Sequence, residues 1–242
     1  MNALGFQIAA ARRMLAAAGL DPHDIAGQVT ARAEGEDAMW TSTMDLFEAT
    51  SPREVVKIPF DAPARDNKAI DASGGPAPVT TASRWIAALY RVRPDIGCVI
   101  HTHAPYIVAV SSTGETVGLY SNRSVLFYDE QSFFDDDGTA TDDPDAIVRA
   151  LGSRSILIQR NHGAVVTGPD VPTATAVALL LEAGARYHVL AKSAGGKPFP
   201  SNDAFLTRRV PHLANLPLVW EAHLRRLRRL DPSFFEAFSS SS

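Results

Sequence analysis

Three histidines have the spacing of a metal site. His101 and His103 stand two apart in Val99-Ile100-His101-Thr102-His103-Ala104-Pro105, and His162 lies in Arg160-Asn161-His162-Gly163. The apolar run Cys98-Val99-Ile100 reads as a buried strand leading into the pair. Side chains alternate along a strand, so His101 and His103 point to one face while Ile100 and Thr102 point to the other. Two neutral imidazoles held side by side can grip a divalent ion if a third ligand arrives from elsewhere. His162 is the natural third, since it ends a second strand-like run, Ile156-Leu157-Ile158-Gln159, and is followed by glycine. A lone strand-end histidine reads as an ordinary polar residue; a His-x-His pair with a second strand-end histidine favours a metal centre.

These residues need a scaffold, and the remaining sequence supplies its elements. Leu4, Ile8, Ala11, Leu15 and Ala18 recur at helical spacing until Gly19 and Pro22. Short apolar runs around Val29, Ala38-Met39-Trp40 and Val55-Val56-Lys57-Ile58 predict antiparallel strands. A Pro/Gly/Asp/Asn-rich loop over 61–78 then leads to a helix over 80–93 that stops before Pro94. Pro105 opens a helix after the histidine strand, Val125-Leu126-Phe127-Tyr128 predicts a strand, and Asp135-Asp136-Asp137-Gly138 a solvated turn. Helices are expected from Pro144 to Leu151 and from Pro172 to about Ala194, with His188 a satisfied core or interface residue. The Trp220–Leu230 stretch, with Arg225, Arg226, Arg228 and Arg229, reads as a solvated helix or subunit contact.

Composition narrows the classes. The 242 residues suffice for one domain with its own core, and 45% hydrophobic with 21% charged residues is ordinary for a globular chain. A net charge of −4 gives no general attraction to nucleic acid or an anionic membrane. No stretch approaches the roughly 20 apolar residues of a membrane span, and the first residues lack the basic and apolar regions of a signal peptide. The one cysteine, Cys98, cannot form an internal disulfide, and its strand parity turns it away from the histidines as a small core residue. The cytoplasm is the expected compartment.

The chain resembles the class II aldolase/adducin family. The similarity runs from Gly27-Gln28-Val29-Thr30-Ala31-Arg32 to the last helix, and is strongest in the segments 90–106 and 160–168 around the histidines. It implies a three-layer α/β/α fold around a mainly antiparallel sheet, as a single domain over 1–238 with a disordered tail at 239–242. It also implies a homo-oligomer, usually a tetramer, with active sites at subunit interfaces, a small-molecule substrate, and metal ligands at His101, His103 and His162. Family aldolases carry a glutamate in a segment matching Thr80-Thr81-Ala82-Ser83, and that position falls on Ala82. Gln28 stands where sugar-phosphate members have Asn, and Thr43-Met44 where they have a phosphate turn.

Three imidazoles without that glutamate point to a divalent-metal-dependent carbon–carbon lyase, of decarboxylase or aldolase type, acting on a hydroxy or keto acid or an aldol. The metal would stabilise the enediolate left when the bond breaks, and zinc, manganese and iron(II) all remain open. Tyr120, Tyr128, Glu130 and His223 (or His212) are the expected proton-transfer residues. Gln28, Thr80, Thr81 and Arg84 are the expected substrate-binding residues, with Arg84 or Arg123 placed to pair with a carboxylate. The alternatives are an Fe(II) oxygenase acting on an aromatic keto acid, as a few relatives are, and a non-catalytic scaffold of the adducin kind.

Overall fold

Alternating apolar residues give the strands two buried faces, and the elements assemble accordingly in the computed structural model, which describes residues 3–21, 25–61, 68–71, 73–135, 138–140 and 142–239. The strands are β1 (Gln28–Arg32), β2 (Ala38–Ser42), β3 (Val55–Pro59), β4 (Ala69–Ile70), β5 (Pro76–Ala77), β6 (Cys98–Thr102), β7 (Gln131–Phe134), β8 (Ile156–Gln159) and β9 (Gly163–Gly168). The helices are α1 (Ala3–Ala17), α2 (Ser83–Val92), α3 (Pro105–Ser111), α4 (Pro144–Leu151), α5 (Val171–Ser193), α6 (Asp203–Leu206), α7 (Arg209–Ala214), α8 (Leu216–Leu230) and α9 (Pro232–Ser239). Seven strands form one sheet in the order β3-β2-β1-β6-β9-β8-β7, antiparallel except for the β7–β8 edge pair. β4 and β5 form a separate small hairpin.

Two cores sandwich the sheet. Val29, Ala31, Cys98, Ile100, Ile156, Ile158, Ala164 and Val166 pack on one side against α1, α3, α5 and the C-terminal helices. Met39, Ile58, Val99, Leu157 and Val165 pack on the other side against α2 and α4. The expected mainly antiparallel α/β/α architecture is therefore present. None of the described helices is long and apolar enough to cross a membrane.

Two local expectations need correction. The run Val125–Phe127 lies in a 3-10 turn (Asn122–Phe127) rather than a strand, and the strand begins at Gln131. Ser124 to Phe127 are all buried, and a fully buried apolar run has no alternation to separate strand from turn. Ser239, assigned to the tail, is the last residue of α9; residues 240–242 lie outside the described residues. Asp136 and Asp137 of the acidic turn and residues 62–67 and 72 of the long loop also lie outside them.

Candidate metal centre

The sheet brings the three histidines together at one end. His101 ends β6, His103 follows one residue beyond it, and His162 sits in the turn between β8 and β9. His103 Nε2 lies 3.0 Å from His101 Nε2 and 3.1 Å from His162 Nε2. One ligand nitrogen from each ring falls within 4.8 Å of the others. Imidazole nitrogens bonded to one ion at about 2.0–2.1 Å, at roughly 90–110° to each other, lie about 2.8–3.4 Å apart. The donor set thus fits a divalent cation.

Protonation supports the same use. The Ala164 carbonyl, 3.3 Å from His101 Nδ1, can only accept, so Nδ1 carries the proton and Nε2 keeps its lone pair for the cluster. Burial, and then His103 and His162 beside it, hold the His101 pKa well below the usual imidazole value, which keeps the ring neutral. Trp85 of α2 meets the His101 ring edge-on, with centroids 5.3 Å apart, and fixes its plane.

Two acidic residues that sequence reasoning missed position the histidine cluster. Asp21, 1% exposed, accepts from Thr102 Oγ1 and from the His103 backbone N–H, each at 2.5 Å. Its backbone takes the left-handed region at φ +49°, which aspartate tolerates better than most residues. Glu182 of α5 accepts the backbone N–H groups of Tyr106 and Ile107, both at 3.0 Å, and so caps α3 just after His103. Burial pushes the Glu182 carboxyl pKa up against these hydrogen bonds. A signal for Glu182 did exist, because it is a lone charge in Ala178-Leu179-Leu180-Leu181-Glu182-Ala183. Asp21 carried no such mark. Asp21→Asn turns a donor amide toward one of two donors; we expect a loss of about 1–3 kcal/mol in stability and a roughly 10–100-fold loss in metal affinity. Urea unfolding and zinc titration check both, and unchanged zinc affinity would remove Asp21 from the positioning role.

The His162 turn depends on its backbone. Asn161 adopts φ +55°, and its N–H donates to Ser111 Oγ at 3.1 Å. A Cβ on Gly163 would lie 2.1 Å from the Thr102 carbonyl oxygen, so only glycine lets this turn close on β6.

The other expected residues are placed as follows. Gln28 lies opposite His101 in the β1–β6 ladder and is buried, and Thr80 is buried before α2. Thr81 Oγ1 donates to Asp142 at 3.1 Å, and Arg84 is exposed. Ala82 is buried at the start of α2, one helical turn before Trp85. Tyr120 stacks on His188 at 4.6 Å, and with Tyr128 it lines a cleft of about 640 Å³ that none of the three histidines borders. His188 has both ring nitrogens engaged, Nδ1 by the Gly118 N–H at 3.2 Å and Nε2 by Glu115 at 3.2 Å. Glu130 pairs with Arg209 and accepts from Ser155 Oγ. His223 and Arg123 line a second cleft of about 620 Å³, also walled by Leu20, Tyr106 and Glu182. His212 Nε2 meets Asn122 Nδ2 at 3.1 Å. None of the three histidines lines either cleft.

Residues 6–189 match the family described as the Class II Aldolase and Adducin N-terminal domain, and the chain belongs to that family. It is 29% identical over 227 residues to the 4-hydroxy-3-prenylphenylpyruvate oxygenase/4-hydroxy-3-prenylbenzoate synthase of Streptomyces roseochromogenus subsp. oscitans, covering 91% of this chain and 79% of that protein. It is 28% identical to Decarboxylase NovR of Streptomyces niveus, covering 91% of this chain and 81% of that protein. Its fold is similar to that of L-fuculose 1-phosphate aldolase from Glaciozyma antarctica PI12, with a TM-score of 0.80 at 21% identity over 95% of this chain and 90% of that one.

Proposed function

We propose that this chain is a divalent-metal-dependent carbon–carbon lyase of the decarboxylase type, acting on a small hydroxy or oxo acid. The donor set carries the reading. Three imidazoles converge, no carboxylate joins them among the described residues, and the buried methyl of Ala82 stands at the expected glutamate position. Aldol cleavage needs a base for the substrate hydroxyl proton, and alanine offers none. Loss of carbon dioxide begins from a carboxylate already ionised. The bonding pair stays on the carbon it leaves, is shared with a neighbouring carbonyl oxygen, and is quenched by one proton returned to carbon.

A divalent ion, when bound, supplies Lewis-acid stabilisation to the oxygen that gains charge. The protein's own groups prepare that site. His101 presents an unprotonated Nε2, Asp21 and Glu182 hold the backbone on either side of His103, and Trp85 screens the His101 ring from one side. The returning proton comes from Tyr120, Tyr128, Glu130 or His223 of a neighbouring copy, in a homotetramer with sites between subunits. The clefts that hold Tyr120, Tyr128 and His223 are lined by none of the three histidines, which supports this arrangement.

A second reading keeps the site and changes the ion. Similarity over 91% of the chain to an oxygenase favours Fe(II) and dioxygen chemistry on an aromatic keto acid. One experiment separates the two: protein loaded with zinc, manganese or Fe(II) is screened against hydroxy and keto acids with and without oxygen. The lyase is expected to release carbon dioxide anaerobically at an undiminished rate. Turnover only with Fe(II), matched by oxygen uptake, would replace it with the oxygenase.

A further inference from the structure

Buried carboxamides need partners, and two on the histidine face of the sheet have none among the described residues. Gln28 and Gln159 are each 2% exposed, and neither amide nitrogen nor amide oxygen makes a hydrogen bond to protein in either side chain. Most buried side-chain polar atoms in folded proteins are paired, because an unmade hydrogen bond is costly in the interior. Four unpaired atoms in two amides beside one centre point to a partner that is not protein.

Strand register locates them. Gln28 stands opposite His101, and Val29 beside it packs into the α1/α5 core, so Gln28 and His101 project from the same face. Gln159 stands opposite Gly163, next to His162. Ile158 packs toward α1 and α5 while Leu157 packs toward α2 and α4 with Val99, so Gln159 shares the His101 face. One amide flanks the cluster from the β1 side and the other from the β8 side. Thr80 Oγ1, buried without a partner, lies at the entry to α2, the helix that covers this face.

We propose that Gln159, with Gln28 on the opposite side of the three histidines, is a specificity-determining residue that hydrogen-bonds the oxygen-rich end of a 2-oxo acid. The inference rests on the metal-dependent reading above and names its substrate class. Amide N–H groups donate to carboxylate and oxo oxygens, and amide oxygens accept from a hydroxyl or a water. The acid's charge would be met by a divalent cation held by the three imidazoles. An arginine anchor is the usual alternative, but among the described residues the one buried arginine or lysine is Arg12. Its guanidinium is engaged by Thr50 Oγ1, the Gly27 carbonyl and the Asp45 carbonyl. Arg84 points to solvent. Neutral amides therefore orient the acid while the centre neutralises it.

The competing partner is a permanently trapped water, and it predicts a different variant. Zinc and then phenylpyruvate are titrated into wild type, Gln159→Met and Gln159→Glu, with thermal unfolding of the metal-free proteins alongside. Methionine keeps the length of the side chain and removes both polar atoms. Zinc stoichiometry and affinity are expected to match wild type in Gln159→Met. Phenylpyruvate Kd should rise at least tenfold there, and further in Gln159→Glu, where a carboxylate meets a carboxylate. The Tm of Gln159→Met should equal or exceed wild type, because an unpaired amide has gone. Unchanged phenylpyruvate affinity or a lowered Tm in Gln159→Met would overturn the proposal, as would a zinc-loaded wild type that does not bind phenylpyruvate. A wild type that takes up no zinc would instead remove the metal-dependent reading, and this inference with it.

Discussion

His162→Ala should lose more than about a hundredfold in divalent-metal affinity and all metal-dependent turnover, while keeping its fold. The size follows from comparison with outer contacts. Changing a residue that only orients a ligand typically costs 10–100-fold in affinity, and His162 offers a ring nitrogen directly, 3.1 Å from that of His103. The fold should survive because His162 sits in a turn and is only partly buried. The substitution removes no residue from either core. Elemental analysis of the purified variant and zinc titration supply the readout, with far-UV circular dichroism as the check on folding. Stoichiometric metal in the variant would dismiss His162 as a ligand.

Gly163→Ala attacks the same turn through the backbone and should damage both stability and metal binding. The added methyl would sit 2.1 Å from the Thr102 carbonyl oxygen and 3.1 Å from the His103 Cα. Backbone cannot swing away as a flexible side chain would, so β9 must separate from β6 at the end that bears the histidines. A loss of about 3 kcal/mol or more is expected, in the range of severe overpacking, with weakened zinc binding. Urea unfolding midpoints at constant m-value measure the first effect and zinc titration the second. Wild-type stability in this variant would show that the turn is free to relax and that the close approach is not needed.

How much of this was legible in the sequence depended on how local each signal was. The histidine strand, β8, α2 and α5 were readable because apolar runs, helical periodicity and flanking Pro or Gly lie within a few residues of each other. The histidine trio was readable for the same reason: two of its members share a strand, and the third has its own strand-end and glycine. β9 carries no flanking signal of its own, since Gly163-Ala164-Val165-Val166 follows the His162 turn directly with no Pro or polar break to mark a new strand. Asp21 escaped because its partners are a hydroxyl and a backbone N–H some 81 and 82 positions away. Gln159 escaped for another reason. A glutamine at a strand end reads as the polar stop of an apolar run, and its unpaired burial exists only once α2 and α4 cover the sheet.

The hydrogen bonds from Thr102 and His103 to Asp21 join the segment that follows α1 to the histidine strand, and the His162 turn comes from a third region of the chain. An ion held there acts as a reversible staple across segments that meet only when the whole sheet has formed. Since the unfolded chain offers no such grouping, binding is thermodynamically linked to folding: free metal at about a thousand times its Kd adds about 4 kcal/mol to stability. A chain caught with the segment after α1 undocked would have an incomplete clasp and would hold such an ion poorly. Metal supply in the surroundings would then set how long each molecule persists as well as how fast it works.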